Sequence, residues 1–453
     1  MSGQIGVARG TALYVGAVLG PGVLVLPALA ADAAGPASVL AWAILIAVSA
    51  PVAAAFAALG MRYPDSGGVA TYTRQAFGPT AGTIVGWWFY AAVPIGMVAG
   101  ALAGGRYAAA ALGFGPTWAA GIAAALLIAA YTLNLFGLHL SGRIHLMLTA
   151  GLVVLLATVI AVSLPRVAMD NFTPFAPHGF AGVGSAAVVL FVAVCGWEAA
   201  VNLAPAFTRP RRQMPIVAAA SLSIITLLYI GLAVTTIGVL GPKAADTGVP
   251  LIRLVNSTSG VGASVVTAAC ALLLTFGATF TFIAAAAHGG AALARDRALP
   301  RWLAATSRAN VPRRSLGVQG AAAAIVATAT GIVPLDIDLL MRAFAVLMAS
   351  VSVIGLAAAA RLLTSRTIRA GAVIAIVVVG AVAALGGQML ALPAALGAIA
   401  AAWQHRQPPG RRITPTLATP KARGHAIRKG PTRPRSSHQA GARVAADRAA
   451  TRR

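Results

Sequence analysis

The sequence predicts an all-α polytopic membrane protein with twelve transmembrane helices. The first ten are expected to form two inverted five-helix repeats, and two extra helices follow them at the C-terminal end. Three observations carry this reading. The 453 residues are 59% hydrophobic and 9% charged, with a mean hydropathy of +0.84, whereas a soluble domain carries roughly 25% charged residues. Apolar runs recur from residue 10 to residue 403, and most reach the roughly 20 residues that span a bilayer. The first and sixth of these runs are interrupted by glycine at corresponding places in the two halves, which is the mark of an inverted repeat.

The first span, 10–32, contains Leu19-Gly20-Pro21-Gly22-Val23-Leu24-Val25-Leu26-Pro27. Lipid offers no hydrogen-bond partners, so backbone left open at that depth has to line a cavity or be covered by protein. A proline kink in a packed helix is the plain structural alternative. The second span, 37–60, leads into Tyr63-Pro64-Asp65-Ser66-Gly67-Gly68-Val69-Ala70, with Tyr72 and Ala76-Phe77-Gly78 after it. Its glycines and proline set a compact structural or gating loop. The third, 81–105, carries Gly96-x-x-x-Gly100-x-x-x-Gly104, read as a helix-packing face. Between the fourth (117–137) and fifth (144–164), His139 and His145 flank Arg143 without metal-ligand spacing, as solvated loop residues.

The sixth span, 183–206, contains Phe191-Val192-Ala193-Val194-Cys195-Gly196-Trp197-Glu198. A glutamate inside a membrane span is a functional candidate by default, and a buried acid bonded to neighbouring backbone is the alternative. The seventh, 215–240, is followed by the eighth, 261–290, with hydroxyls at Thr275, Thr279 and Thr281 and with His288 near its inner end. Asp336 and Asp338 mark the outer mouth between the ninth (315–333) and tenth (339–362). Spans 370–386 and 389–403 are short for two crossings, but only an even number returns the basic C-terminal end to the side of the N-terminus. The expected repeats cover about 8–165 and 183–363 of a transmembrane domain over 1–403.

Charge sets the orientation, because cytoplasmic loops carry an excess of Lys and Arg. With the N-terminus inside, the inner loops hold 15 basic residues and the outer loops five. Both termini are therefore expected in the cytoplasm and the protein in the cell membrane. Residues 404–453 hold 13 Lys/Arg against one acid, Asp447, about half of the net +25. With almost no large apolar side chains this tail is expected to be disordered and held near anionic lipid headgroups. No aromatic interleaving accompanies the charge, so a nucleic-acid partner is not expected. The two cysteines, Cys195 and Cys270, lie in apolar spans and imply neither a disulfide framework nor a metal pair. No Walker A sequence occurs, and no cofactor or metal is expected. Ala28-Leu29-Ala30 mimics a signal-peptidase site, but the long interrupted run before it argues against cleavage.

A half-helix beginning at Gly20-Pro21-Gly22 aims free N–H groups and a positive dipole end at an anion, and a carboxylate fits there. The break, the inner loop and the Gly196-x-Glu198 pair together resemble the amino-acid/polyamine/organocation superfamily of transporters. The match falls on Gly20, Gly22, Val23 and Pro27; on Pro64, Ser66, Gly67 and Gly68; and on Gly196 and Glu198. It covers roughly residues 8–403. Within that superfamily, Pro27-Ala28-Leu29-Ala30, the Tyr-Pro-x-x-Gly-Gly-Val-Ala stretch, and Pro210 and Pro215 around Arg212 look most like bacterial exporters of methionine and branched-chain amino acids.

The resemblance implies that a substrate carboxylate meets N–H groups of the Gly20-Pro21-Gly22 break, at Gly22 and Val23. It also implies that the substrate amino group meets the Val18 carbonyl and those around Phe191 and Val192, near Cys195. Pro21 departs from the family's Ser or Thr and brings neither a hydroxyl nor an N–H. Glu198 is left for coupling or gating, with H+ as the expected ion. The implied function is secondary active transport of amino acids by alternating access, as exporter or antiporter, with an importer as the alternative. Val23, Val192, Val194, Cys195, Ile95 and Met97 near the breaks are apolar, which points to leucine, isoleucine, valine or methionine. A membrane enzyme would need a nucleophile with its base or paired acids, yet Glu198 is the only acid well inside a span. A channel would need a polar stripe along its pore.

Overall fold

The computed structural model describes residues 6–63, 68–137, 142–200, 207–259, 262–307, 311–332 and 336–406. Pro64, Asp65, Ser66 and Gly67 of the first inner loop, His139, and the basic tail beyond residue 406 lie outside them. The described residues form helices and connecting turns, with no strand among them.

Helix α1 (Val7–Leu19) and α2 (Leu26–Ala34) are separated by a 3₁₀ turn over Pro21–Leu24. Three elements follow: α3 (Ser38–Arg62), the short α4 (Gly68–Phe77) and α5 (Pro79–Ala111). Next come α6 (Pro116–Leu135) and α7 (Gly142–Ser163). Helix α8 (Gly179–Leu190) and the single turn α9 (Trp197–Ala200) flank a second 3₁₀ turn, Phe191–Val194. The rest of the order is α10 (Pro210–Leu240), α11 (Pro250–Ser259), α12 (Gly262–Arg295), α13 (Arg313–Ile332), α14 (Ile337–Leu362), α15 (Arg366–Leu385) and α16 (Ala391–His405).

Local chemistry sets the ends of these helices. Helices α5, α6 and α10 each begin on a proline, whose missing N–H costs nothing in a first turn. The Asp336 side chain accepts the Ile337 N–H at 2.6 Å and caps α14. In α4 the buried residues Val69, Tyr72, Thr73 and Ala76 fall on one face, with Gln75 exposed, so it lies on the bundle and does not cross it. It rests on α5, where a Cβ on Gly82 would stand 2.9 Å from the Cβ of Arg74.

Among the described residues, eight helices are long and apolar enough to cross a membrane, and α1 and the Gly179–Val194 segment are shorter apolar helices. Burial separates an inner set from an outer one. Within their apolar windows 67% of α14 is buried against 28% of α15. Ile128, Val154, Leu227, Ile325 and Val377 are all more than 60% exposed. Large apolar side chains this exposed on five helices suit lipid rather than water. Helix α5 packs on α4, α6, α12 and α14, while α1 packs on α10 and α2 on α8. Boundaries differ modestly from the sequence reading: α5 and α12 run past 81–105 and 261–290, α10 starts five residues before 215, and α11 stands where a loop was expected.

Candidate functional site

Regular helical bonding stops at the first break because Pro21 has no N–H and Gly20 turns away with φ 41°. The 3₁₀ turn then carries the chain to Val25, whose N–H donates to the Gly22 carbonyl at 3.0 Å. A helix start leaves its first N–H groups without intrahelical partners. With proline at the first position, Gly22 is the first residue here that has a donor to present.

In the second break Cys195 is extended, with ψ 142°, and Gly196 takes φ 130°. The Cys195 N–H folds back on the Phe191 and Val192 carbonyls at 3.2 and 3.3 Å, and its Sγ donates to the Phe191 carbonyl at 3.2 Å. The carbonyls assigned by resemblance to a substrate amino group therefore already accept from Cys195. The Val18 carbonyl likewise accepts from the Tyr229 hydroxyl at 3.1 Å. A carbonyl oxygen has two lone pairs, so the Val18 and Val192 carbonyls, each with one acceptance named here, can take a second donor, whereas Phe191 already accepts both the N–H and the Sγ of Cys195.

The two breaks lie directly against each other. A Cβ on Gly196 would stand 2.7 Å from the Ala17 carbonyl oxygen and 2.9 Å from the Val18 Cα, and one on Gly22 would stand 3.2 Å from a Val192 methyl. Only glycine permits this approach. Two buried tyrosines brace the first break from behind. Tyr229 holds Val18 and packs its ring 4.7 Å from that of Trp42. The Tyr107 hydroxyl donates to the Leu24 carbonyl at 2.7 Å and accepts the Leu251 N–H of α11 at 3.1 Å.

A cavity of about 390 Å³ opens between the breaks. Val18, Gly20, Gly22, Val192 and Cys195 line it together with Gly96 and Met97 of α5, Phe282 of α12, and Met341 and Phe344 of α14. None of these residues is charged. Val23 and Phe191 sit beside it in the core, 1% and 2% exposed, and the Pro21 side chain lies outside the described residues. Phe282, Met341 and Phe344 carry no signal in the sequence: apolar residues predominate on the outer as well as the inner faces of their spans, so periodicity does not mark the inner one.

Glu198 does not line that cavity. It is 2% exposed; Oε2 accepts the Gly196 N–H at 2.9 Å and Oε1 accepts the Ser352 hydroxyl of α14. These bonds tie the second break to α14. Glu198 lines a second cavity, of about 690 Å³, between α4, α5 and α12, which also meets Arg74 and Asp296.

Gly96 and Gly104 receive Phe344 and Thr275 at close contact, so the glycine stripe is a packing face. Asp336 pairs with Arg106 at 3.6 Å, and Asp338 with Arg342 at 2.6 Å. His288 is exposed, its Nδ1 2.8 Å from the Ala284 carbonyl. Thr281 bonds the Gly277 carbonyl, while the buried hydroxyls of Thr275 and Thr279 have no partner among the described residues. Among those residues no group of three His, Cys, Asp or Glu is placed to hold a metal ion.

A family model described as "Amino acid permease" matches residues 5–386. The chain is 34% identical over 363 residues to the uncharacterized amino acid permease YecA of Bacillus subtilis (strain 168), covering 80% of this chain and 85% of that protein. It is 32% identical over 266 residues to the L-methionine/branched-chain amino acid exporter YjeH of Escherichia coli (strain K12), covering 57% of this chain and 62% of that protein. It is 26% identical over 248 residues to the glutamate/serine transporter AimA of Bacillus subtilis (strain 168), covering 51% and 46%.

Proposed function

This chain belongs to the amino acid permease family, a family of multi-pass membrane transporters, and we propose that it carries apolar zwitterionic amino acids: leucine, isoleucine, valine and methionine. The single observation that carries the proposal is the cavity where the breaks meet. It offers the Gly22 N–H and backbone carbonyls for the α-carboxylate and amino groups. For the side chain it offers Met97, Val192, Phe282, Met341 and Phe344. A basic or acidic side chain would enter it without a counter-charge, and an unpaired charge away from water costs several kcal/mol. The relative YjeH, by its name an exporter of methionine and branched-chain amino acids, supports the same substrates.

Transport is secondary and active, by alternating access around the two breaks, as exporter or antiporter, with H+ as coupling ion and Glu198 as the group that binds it. The chain crosses the cell membrane twelve times, with five-helix repeats over about 8–165 and 183–363, helices over 370–403, and both termini cytoplasmic. The tail from 404 lies by anionic headgroups. Neither enzymatic conversion nor a cofactor is involved. Counterflow in proteoliposomes with a panel of labelled amino acids, with and without a pH gradient, tests this. The expected result is exchange of leucine and methionine that responds to the gradient. Faster exchange of arginine, lysine or glutamate than of leucine would overturn the substrate assignment.

A further inference from the structure

The two cavities share no lining residue. Cys195 faces the one between the breaks, and Glu198, three residues on, lines the other. The Glu198 cavity contains two further charged residues, Arg74 of α4 and Asp296 at the end of α12, and these meet at 2.6 Å with their side chains 34% and 45% exposed. Glu198 itself is 2% exposed. The charged pair therefore stands at the water boundary and the carboxylate at the closed inner end. The rest of the lining is uncharged, including Tyr90 of α5 and Ala285, Gly289 and Leu293 of α12.

We propose that this cavity is the route by which the coupling ion reaches Glu198, separate from the substrate cavity, and that the Arg74–Asp296 pair is the latch at its mouth. The proposal rests on the reading of Glu198 as the coupling group. Three features support it. The pair joins two elements that are distant in sequence, the surface helix α4 and the end of α12. Arg74 is held in place from behind, where Gly82 brings α5 within van der Waals contact of its Cβ. A half-exposed ion pair contributes little net stability, as suits a contact that opens and closes in every cycle. The titratable and charged groups that share the cavity with Glu198 are Arg74 of α4, Tyr90 of α5 and Asp296 just beyond the end of α12.

The test labels Ala285→Cys, in the Cys270→Ser background, with a membrane-impermeant thiol reagent applied to vesicles from the α4 side. Breaking a pair this exposed by Asp296→Asn or Arg74→Gln should speed labelling about two- to fivefold. The charge-exchanged double variant Arg74→Asp/Asp296→Arg should return the rate toward that of the parent. Both single variants should also alter the pH profile of leucine exchange while leucine binding stays within about twofold, because neither residue lines the substrate cavity. Unchanged labelling in both single variants, with a Glu198→Gln variant whose pH profile is altered, would overturn the latch alone. An unchanged pH profile in Glu198→Gln would overturn the coupling reading and the proposal with it.

Discussion

Gly196→Ala should separate the two breaks. The added Cβ would lie 2.7 Å from the Ala17 carbonyl oxygen and 2.9 Å from the Ala17 carbonyl carbon and the Val18 Cα, all backbone atoms. Backbone cannot step aside as the tip of a side chain can. Ordinary contact begins near 3.4 Å, so the two segments must part by about 0.7 Å. Two costs follow. An L-residue held at φ 130° is strained by roughly 1–3 kcal/mol, and overpacking costs a further 1–3 kcal/mol. Relaxation recovers part of this, leaving a destabilisation of about 3 kcal/mol. A shift of this size moves the donors and carbonyls of one break out of register with those of the other, so leucine affinity should fall at least tenfold. Thermal unfolding of purified protein and radioligand binding of leucine measure the two effects. Gly121→Ala is the control, because a Cβ at that position meets nothing within 4 Å. A Gly196→Ala protein that melts and binds leucine like the Gly121→Ala control would refute the juxtaposition of the breaks.

Three further substitutions probe other parts of the account. Tyr107→Phe removes a hydroxyl that serves both the Leu24 carbonyl and the Leu251 N–H; two buried groups left unpaired should cost about 2–4 kcal/mol, read as a lower melting temperature with weaker leucine binding. Glu198→Gln keeps an oxygen for the Ser352 hydroxyl but cannot gain or lose a proton, so transport should lose its pH dependence while leucine binding, whose cavity Glu198 does not line, changes little. Asp336→Ala removes the cap of α14 and the partner of Arg106; about 1 kcal/mol of stability should go with the cap, which chemical denaturation in detergent would detect.

The fold class was legible because the membrane imposes it: long apolar segments joined by short polar connections have few alternatives to a helical bundle. The breaks were legible because Pro21 cannot donate and Gly20, Gly22 and Gly196 mark backbone that departs from the helix or approaches a neighbour. What stayed hidden is which face of each span looks inward. Phe282, Met341 and Phe344 line the central cavity, but most of the residues on the other faces of their helices are apolar too, so no periodicity distinguishes them. The separation of Glu198 from Cys195 was hidden for a different reason. The turn at Gly196 sends side chains three residues apart into different cavities, and a φ of 130° is not written in the sequence around it. The Arg74–Asp296 and Tyr107–Leu251 contacts join residues more than 100 positions apart, beyond the reach of any local pattern.

Gly22→Val tests most directly whether the substrate sits between the breaks. Its Cβ would already stand 3.0 Å from the Leu26 Cδ1 and 3.2 Å from a Val192 methyl, and its two methyls would take up space in the cavity that Gly22 lines. They would also crowd the N–H that the carboxylate needs. Equilibrium binding of leucine and methionine to this variant and to the parent is the measurement. The account predicts at least a tenfold loss of affinity for both ligands, and a variant that binds them as tightly as the parent would contradict it.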